Sequence, residues 1–549
     1  MILSRFIADK MIIQQGKKPH IWGWTKEGRT VNVTVTDADG KVLNESSHNA
    51  VANTRFDVYL EPMDYGGPYS MTVTDDAGES VIVRDIMVGE VFVTCGQSNM
   101  EFPMSRVADT YPEEMVNVDA PLVREFKIKE RREFNAPLEE VETGSWVVPS
   151  DDNIGPMMAI SYFMARDLSQ KTGHAVGYIN ASLGGSPIAA WMSEEMLEGY
   201  DDLLKEAERY KDDSYCDEVN RLNNKNADEW YSKMDELDAA FEKREEGWKK
   251  VTLPAFMADT SIGDINGCIW LRKKFEVPGE LAGRKAVLWL GTLTDFDVTY
   301  VNGEQVGTTA YSYPPRRYGI REGLLHEGTN TVMIRLGVDK GPARMTPGKL
   351  VGVIFGNPVR YMKDSLHEAI SGEDALISLE GEWEYQTSVV MNPIAPTVFM
   401  SWKPTALFNG MLAPAINYPV RAFMWYQGES DTAGDAPEQY YDKSVRMIRG
   451  LRELYKDDKL PYIFVKLPNF GYNLYEVDPK LNANFLVDKT VKKEGWERLR
   501  DVQDEIAKLD NAYMFDAWDY GEANDVHPQN KRPIGEGLSR IVMEELLTE

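Results

Sequence analysis

Between Val88 and Met100 the chain reads Val-Gly-Glu-Val-Phe-Val-Thr-Cys-Gly-Gln-Ser-Asn-Met. Val91 to Cys95 are an unbroken run of apolar and β-branched residues, the pattern of a strand buried on both faces. Strands of that kind belong to parallel sheets covered by helices, which makes α/β the fold class to expect. Gly96 stops the run and Ser98 follows two residues later. The hydroxyl of Ser98 is thereby placed at the carboxyl edge of the sheet, where open α/β sheets bind their ligands. Taken alone, the same residues also read as a strand, a glycine turn and a serine capping the next helix.

Three later stretches favour the chemical reading. Asn180-Ala-Ser-Leu-Gly-Gly-Ser186 is a second strand end running into glycines, and Ala422-Phe-Met-Trp-Tyr-Gln-Gly-Glu-Ser-Asp431 is an apolar strand ending in polar groups. Near the C-terminus comes Asp525-Val526-His527-Pro528; of six histidines, only His527 combines an acid two residues away with a proline directly after it. A serine, two strand ends rich in backbone and amide donors, and an acid beside a histidine are the parts of an acyl-transfer site.

Together the Gly96-Gln-Ser-Asn-Met100 block, the Gly184-Gly185-Ser186 turn, the Gln427-Gly-Glu-Ser-Asp431 block and Asp525-Val-His-Pro528 resemble the SGNH/GDSL hydrolase superfamily. Within it they are similar to the sialate O-acetylesterases and their acetyl-xylan-esterase relatives. The resemblance implies a flavodoxin-like three-layer α/β/α hydrolase domain running from about Val88 to the end, with an insertion. It implies Ser98 as nucleophile, His527 as base and Asp525 as the acid of a triad. For the oxyanion it implies the backbone N–H groups of Ser98 and Gly185, with Gly184 left open as the alternative, and the side-chain amide of Gln427. The superfamily's last block is usually Asp-x-x-His, whereas here one residue separates Asp525 from His527, so the acid is the least fixed member. Gln97, Asn99 and Glu429 flank the expected pocket as substrate-binding candidates. Glu429 and Asp431 read as acids that hold a loop rather than perform chemistry.

The remaining chain divides by pattern. Residues 1–86 alternate with period two, as in Val31, Val33 and Val35, and turn at Asp39-Gly40, which predicts an antiparallel β-domain. Residues 87–254 form the first part of the hydrolase domain and end in an acidic helical stretch over 194–250, with Trp230, Met234, Leu237 and Phe241 at helical spacing. Residues 255–390 return to strands and hairpins, such as the Asn302-Gly303 turn, and resemble jelly-roll, sugar-binding-like modules of some glycoside hydrolases. With α/β motifs on both sides, this segment must be inserted; 391–549 then completes the hydrolase domain.

Function classes can be excluded on composition. A formal charge of -28 disfavours nucleic acid, whose phosphates need clustered Lys and Arg. Cys95, Cys216 and Cys268 are odd in number and widely spaced, so neither a disulfide framework nor a zinc knuckle is expected. No His-Glu-x-x-His and no phosphate loop is present, so metal hydrolysis and nucleotide use are not expected, nor any cofactor. No run reaches membrane-spanning length, and the start lacks a basic segment followed by a long apolar one, which points to a cytoplasmic protein. The expectation is a serine esterase acting on acetylated carbohydrate, with neutral oligosaccharides favoured over sialic acid. Arg106 is the basic residue nearest in sequence to Ser98, and Arg421 precedes the Gln427 strand; these are the candidates to receive a carboxylate. The rival is a carbohydrate-binding protein with a decayed esterase domain, against which Ser98, Gln427 and His527 all stand intact.

Overall fold

The computed structural model describes residues 1–49, 54–108, 110–241, 246–356, 375–470, 493–522 and 525–547. The parts of the expected domains that fall at 357–374 and 471–492 lie outside the described residues. The chain forms two compact units, one from described residues within 1–216, 399–470 and 490–549, the other centred on 217–398.

The first unit is built on one 17-residue strand, Ser80–Gly96. Its first half alternates between exposed and buried positions and pairs antiparallel with Gly66–Asp75, as a strand with one wet face does. From Val88 onward every residue is buried, and here the strand pairs in parallel with Ala175–Ser182 and Ala422–Tyr426. The expected domain boundary at 86/87 therefore falls inside a continuous strand, which joins the N-terminal β region to the parallel sheet. Period-two patterning gives way to an apolar run at this point, which is what made two domains of one strand in the sequence.

The parallel sheet is ordered Val123–Lys127, Ala175–Ser182, Ser80–Gly96, Ala422–Tyr426, Tyr462–Lys466, Ala512–Asp516, with the short Trp146–Val147 antiparallel at one edge. After the central strand the chain builds to one side and then crosses to the other. That reversal opens a crevice at the carboxyl end of Ser80–Gly96, the place where such sheets take ligands. Helix Ala159–Thr172 packs on Arg532–Ile541, and Ala436–Tyr455 packs on Lys493–Ile506. The first of these helices stops at Gly173 in a left-handed conformation, as its Thr172-Gly173 ending predicts.

The second unit holds two antiparallel sheets. One runs Lys249–Leu253, Gly381–Met391, Asn266–Val277, Gly328–Val338, Phe296–Val301, Glu304–Thr309; the other runs Arg317–Ile320, Ala286–Leu290, Val351–Phe355, Ala375–Ser378. Leu271, Ile334 and Leu336 of the first meet Leu288 and Val353 of the second in one apolar core. The sandwich begins at Lys249, ahead of the expected limit of 255, because Lys249–Leu253 pairs with Gly381–Met391. The acidic helical stretch also departs from expectation. Within the helix Asp213–Ala239, Trp230 and Met234 pack against Cys268, Trp270 and Val389 of the sandwich, and Asp238 accepts hydrogen bonds from Trp270 Nε1 and Arg335 Nε. An aromatic stripe on an acidic helix thus has a strand face to cover, and from residue 217 the helix belongs with the sandwich unit.

Candidate active site

Gly96 ends the central strand at φ +143°, and a β-carbon there would come 2.1 Å from the Tyr426 carbonyl oxygen. Only glycine permits that approach, and the next residue uses it: the Gln97 N–H donates to Tyr426 O at 3.0 Å. The turn that follows lifts Ser98 to a half-buried position. His527 Nε2 lies 2.8 Å from Ser98 Oγ, although 429 positions separate the two in the chain. His527 itself is 5% exposed. Burial, together with the positive charges of Arg106 and Lys531, pulls its pKa from 6.5 down to about 3. The imidazole is therefore neutral, the form a general base requires.

Asp525 accepts the backbone N–H of His527 at 2.9 Å, the two-residue side-chain turn that this spacing allows. Its Oδ1 lies 4.0 Å from His527 Nδ1, longer than a hydrogen bond. Asp525 is thus beside the imidazole, with its shortest described bond to the loop backbone.

Three residues expected to touch substrate serve the loops instead. Asn99 is buried; its amide nitrogen donates to Glu429 Oε1 at 2.5 Å and to Val526 O at 3.0 Å, and its oxygen accepts from Lys531 Nζ. Adjacent residues Ser98 and Asn99 therefore hold adjacent residues His527 and Val526. Gln97 accepts from the N–H groups of Gly428 and Ser430, fixing the 428–430 loop. Behind them Glu429 is raised to about 7 and Lys531 lowered to about 7, each chiefly by burial.

The glycine turn lies against Ser98. A β-carbon at Gly184 would stand 3.4 Å from Ser98 Cβ. The Gly184 N–H is taken by Glu101 Oε2 at 2.7 Å, and burial raises the Glu101 pKa. Among the described residues, the N–H groups of Ser98 and Gly185 have no protein acceptor. These are the two backbone donors expected for the oxyanion, and Gly184 is the one already used. Gln427 differs from expectation. It is completely buried, and its amide donates to Ser186 O at 3.1 Å and Asp431 Oδ2 at 2.6 Å while its oxygen accepts from Tyr440. With both amide hydrogens engaged in the interior, it anchors the glycine turn to the strand end and has none to offer an oxyanion.

Sequence reasoning does not single out Glu101 or Lys531. Lys531 lies in a Lys-Arg-Pro run that reads as a helix start, and no spacing marks it as buried. Glu101 directly follows the serine block, the one signal that pointed to it. Of the two basic residues, Arg421 pairs with Glu90 at 2.6 Å, at the start of its strand and away from Ser98. Arg106 stacks over Phe102 at 4.5 Å, and the Phe102 ring is 6.1 Å from that of His527. No cluster of metal-ligating residues occurs among the described residues, and no described helix is long and apolar enough to cross a membrane.

A family model described as carbohydrate esterase, sialic acid-specific acetylesterase, matches residues 88–262 and 381–539. The chain is similar to the sialate O-acetylesterase of Mus musculus, 27% identical over 207 residues, and to that of Homo sapiens at 26%. These matches take in 35% of this chain and 38% and 39% of the two relatives, so the chain spans about two fifths of their length. The crystal structure of a carbohydrate acetylesterase from Xanthomonas citri superposes with a TM-score of 0.55 at 19% identity, covering 98% of this chain and 74% of that one.

Proposed function

The chain belongs to the carbohydrate esterase, sialic acid-specific acetylesterase family, and on that premise we propose that it removes O-acetyl groups from carbohydrates through an acetyl-serine intermediate. The observation that carries this reading is the 2.8 Å contact between His527 Nε2 and Ser98 Oγ. In the proposed reaction Ser98 Oγ attacks the acetyl carbonyl carbon while its proton passes to His527 Nε2. The charge growing on the carbonyl oxygen meets the N–H groups of Ser98 and Gly185. The sugar oxygen then leaves with the proton from His527, and water repeats the sequence to release acetate. Asp525 steadies the imidazolium from beside it. The strand order and the two helix pairs support an SGNH-type three-layer domain, and the two facing antiparallel sheets support a jelly-roll insertion.

Neutral acetylated oligosaccharides are the favoured substrates. A second reading, O-acetylated sialic acid, is favoured by Arg106, which brings positive charge to the histidine side of the site. The test is acetate release from acetylated xylo- and manno-oligosaccharides and from O-acetyl sialic acid. Ser98→Ala should abolish release from every substrate with the fold intact, since the nucleophile and base act as a unit. A variant with near wild-type activity would end the serine mechanism.

A further inference from the structure

The glycine turn has a second neighbour besides Ser98. Gly185 stands at φ +75°, and a β-carbon there would overlap Trp402, 2.2 Å from Cζ2. Trp402 is fixed in place, because its Nε1 donates to Gly184 O at 2.9 Å. On this half-buried indole lies Phe399, with ring centroids 4.0 Å apart and planes at 27°. Phe399 is 43% exposed, among the more exposed large apolar side chains of the protein. Ser401, between the two rings in sequence, donates from Oγ to Glu130 at 2.7 Å.

Core packing does not explain an exposed phenylalanine held flat on an anchored tryptophan. The negative face of an aromatic ring suits the weakly positive C–H groups along one side of a pyranose. The exposed carboxylate of Glu130, beside Ser401, suits its hydroxyls. The position is also informative. Gly184 lies against Ser98 on one side and through its carbonyl holds Trp402 on the other. The indole and the turn thus stand between Ser98 and the exposed ring of Phe399, which lies a further 4.0 Å beyond Trp402. An exposed ring set apart from Ser98 in this way suits a sugar ring next to the acetylated one rather than the acetyl group itself.

We propose that Phe399, backed by Trp402, is a subsite for the pyranose ring glycosidically linked to the acetylated one, so that the enzyme is selective for acetylated oligosaccharides over acetylated monosaccharides. The subsite rests on the deacetylase reading above. Its test compares kcat/KM on O-acetylated xylose with that on O-acetylated xylobiose and xylotriose, and likewise in the manno series. Wild type should gain about two- to tenfold from monosaccharide to disaccharide, the range of one aromatic contact. Phe399→Ala should erase that gain, chiefly through KM, while Phe399→Tyr should keep it. Circular dichroism and thermal melting establish that both variants are folded. No gain with chain length in either series, or a gain that survives Phe399→Ala, would overturn the subsite while leaving monosaccharide deacetylation standing. Failure to release acetate from any sugar, with simple alkyl acetates still cleaved, would instead overturn the deacetylase reading and the subsite with it.

Discussion

His527 occupies a place where a cation would be costly. It is buried, and Arg106 and Lys531 add repulsion, so the pKa is pulled to about 3. The general base is active when neutral, so a lowered pKa carries the active form to lower pH. A histidine on a solvated loop would give a rise in kcat/KM through about pH 6–7, which is what the sequence alone leads one to expect. The structure moves that limb: kcat/KM should hold nearly level from pH 8 to 5 as far as His527 governs it, and fall only below. An inflection near pH 7 that persists in a Lys531→Met/Glu429→Gln double variant would place the histidine back at its ordinary value. That variant is the control because Lys531 and Glu429, both brought to about 7 by burial, titrate in this range. Gln427 makes a second case. Removing an oxyanion donor costs about 10²–10³ in kcat without loss of stability. Removing an interior anchor orphans buried partners at about 1–3 kcal/mol each. Because Ser186 O would lose its side-chain donor and Asp431 and Tyr440 one bond each, Gln427→Ala should lower the melting temperature by several degrees. A large fall in kcat at unchanged melting temperature would restore the oxyanion role.

At the scale of elements, the site is a meeting of four chain segments, and its legibility in the sequence follows from what each contributes. Apolar runs ending in glycine mark strand ends, so the edges bearing Ser98, the 183–186 turn and the 427–431 loop could be read directly. Whether a polar side chain there faces inward or toward substrate depends on the neighbouring segment, which spacing does not encode. Gln97, Asn99, Glu429 and Gln427 all turn inward, each to a partner more than one segment away or across its own loop. Lys531 was invisible for the same reason, since its partner is Asn99. Asn99 is the joint of this arrangement: through Val526 O it holds the histidine loop to the serine turn. Asn99→Ala should therefore misplace His527 relative to Ser98 and leave Lys531 and Glu429 poorly satisfied. The expected outcome is a fall in kcat of about 10–10² with KM nearly unchanged, in the manner of a misplaced catalytic pair. If KM rises while kcat holds, Asn99 is a substrate-binding group after all.

At the scale of the whole molecule, the sequence separated regions by pattern and the structure joins them by pairing. The strand Ser80–Gly96 runs through one expected boundary, and the helix Asp213–Ala239 turns its aromatic stripe to the sandwich rather than to the parallel sheet. Net charge is the one whole-molecule property that reaches the active site directly. A chain at -28 repels an anionic substrate at long range, and salt screens that repulsion over about 8–10 Å at physiological strength. Arg106 acts in the opposite sense at short range, beside His527. A neutral acetylated oligosaccharide feels neither, so its kcat/KM should change by less than about twofold between roughly 20 and 300 mM salt. For O-acetyl sialic acid the sign of the salt effect reports which field governs its approach. If the global charge governs, screening removes repulsion and kcat/KM rises with salt; if Arg106 governs, screening removes attraction and kcat/KM falls. With 88 acidic against 60 basic residues and Arg421 committed to Glu90, the expected result is a rise with salt and a preference for the neutral substrate throughout. Stopped assays of both substrates across that range decide the matter. A preference for the sialic acid that salt weakens, and that Arg106→Gln abolishes, would establish Arg106 as the carboxylate's receptor and reverse the choice of substrate.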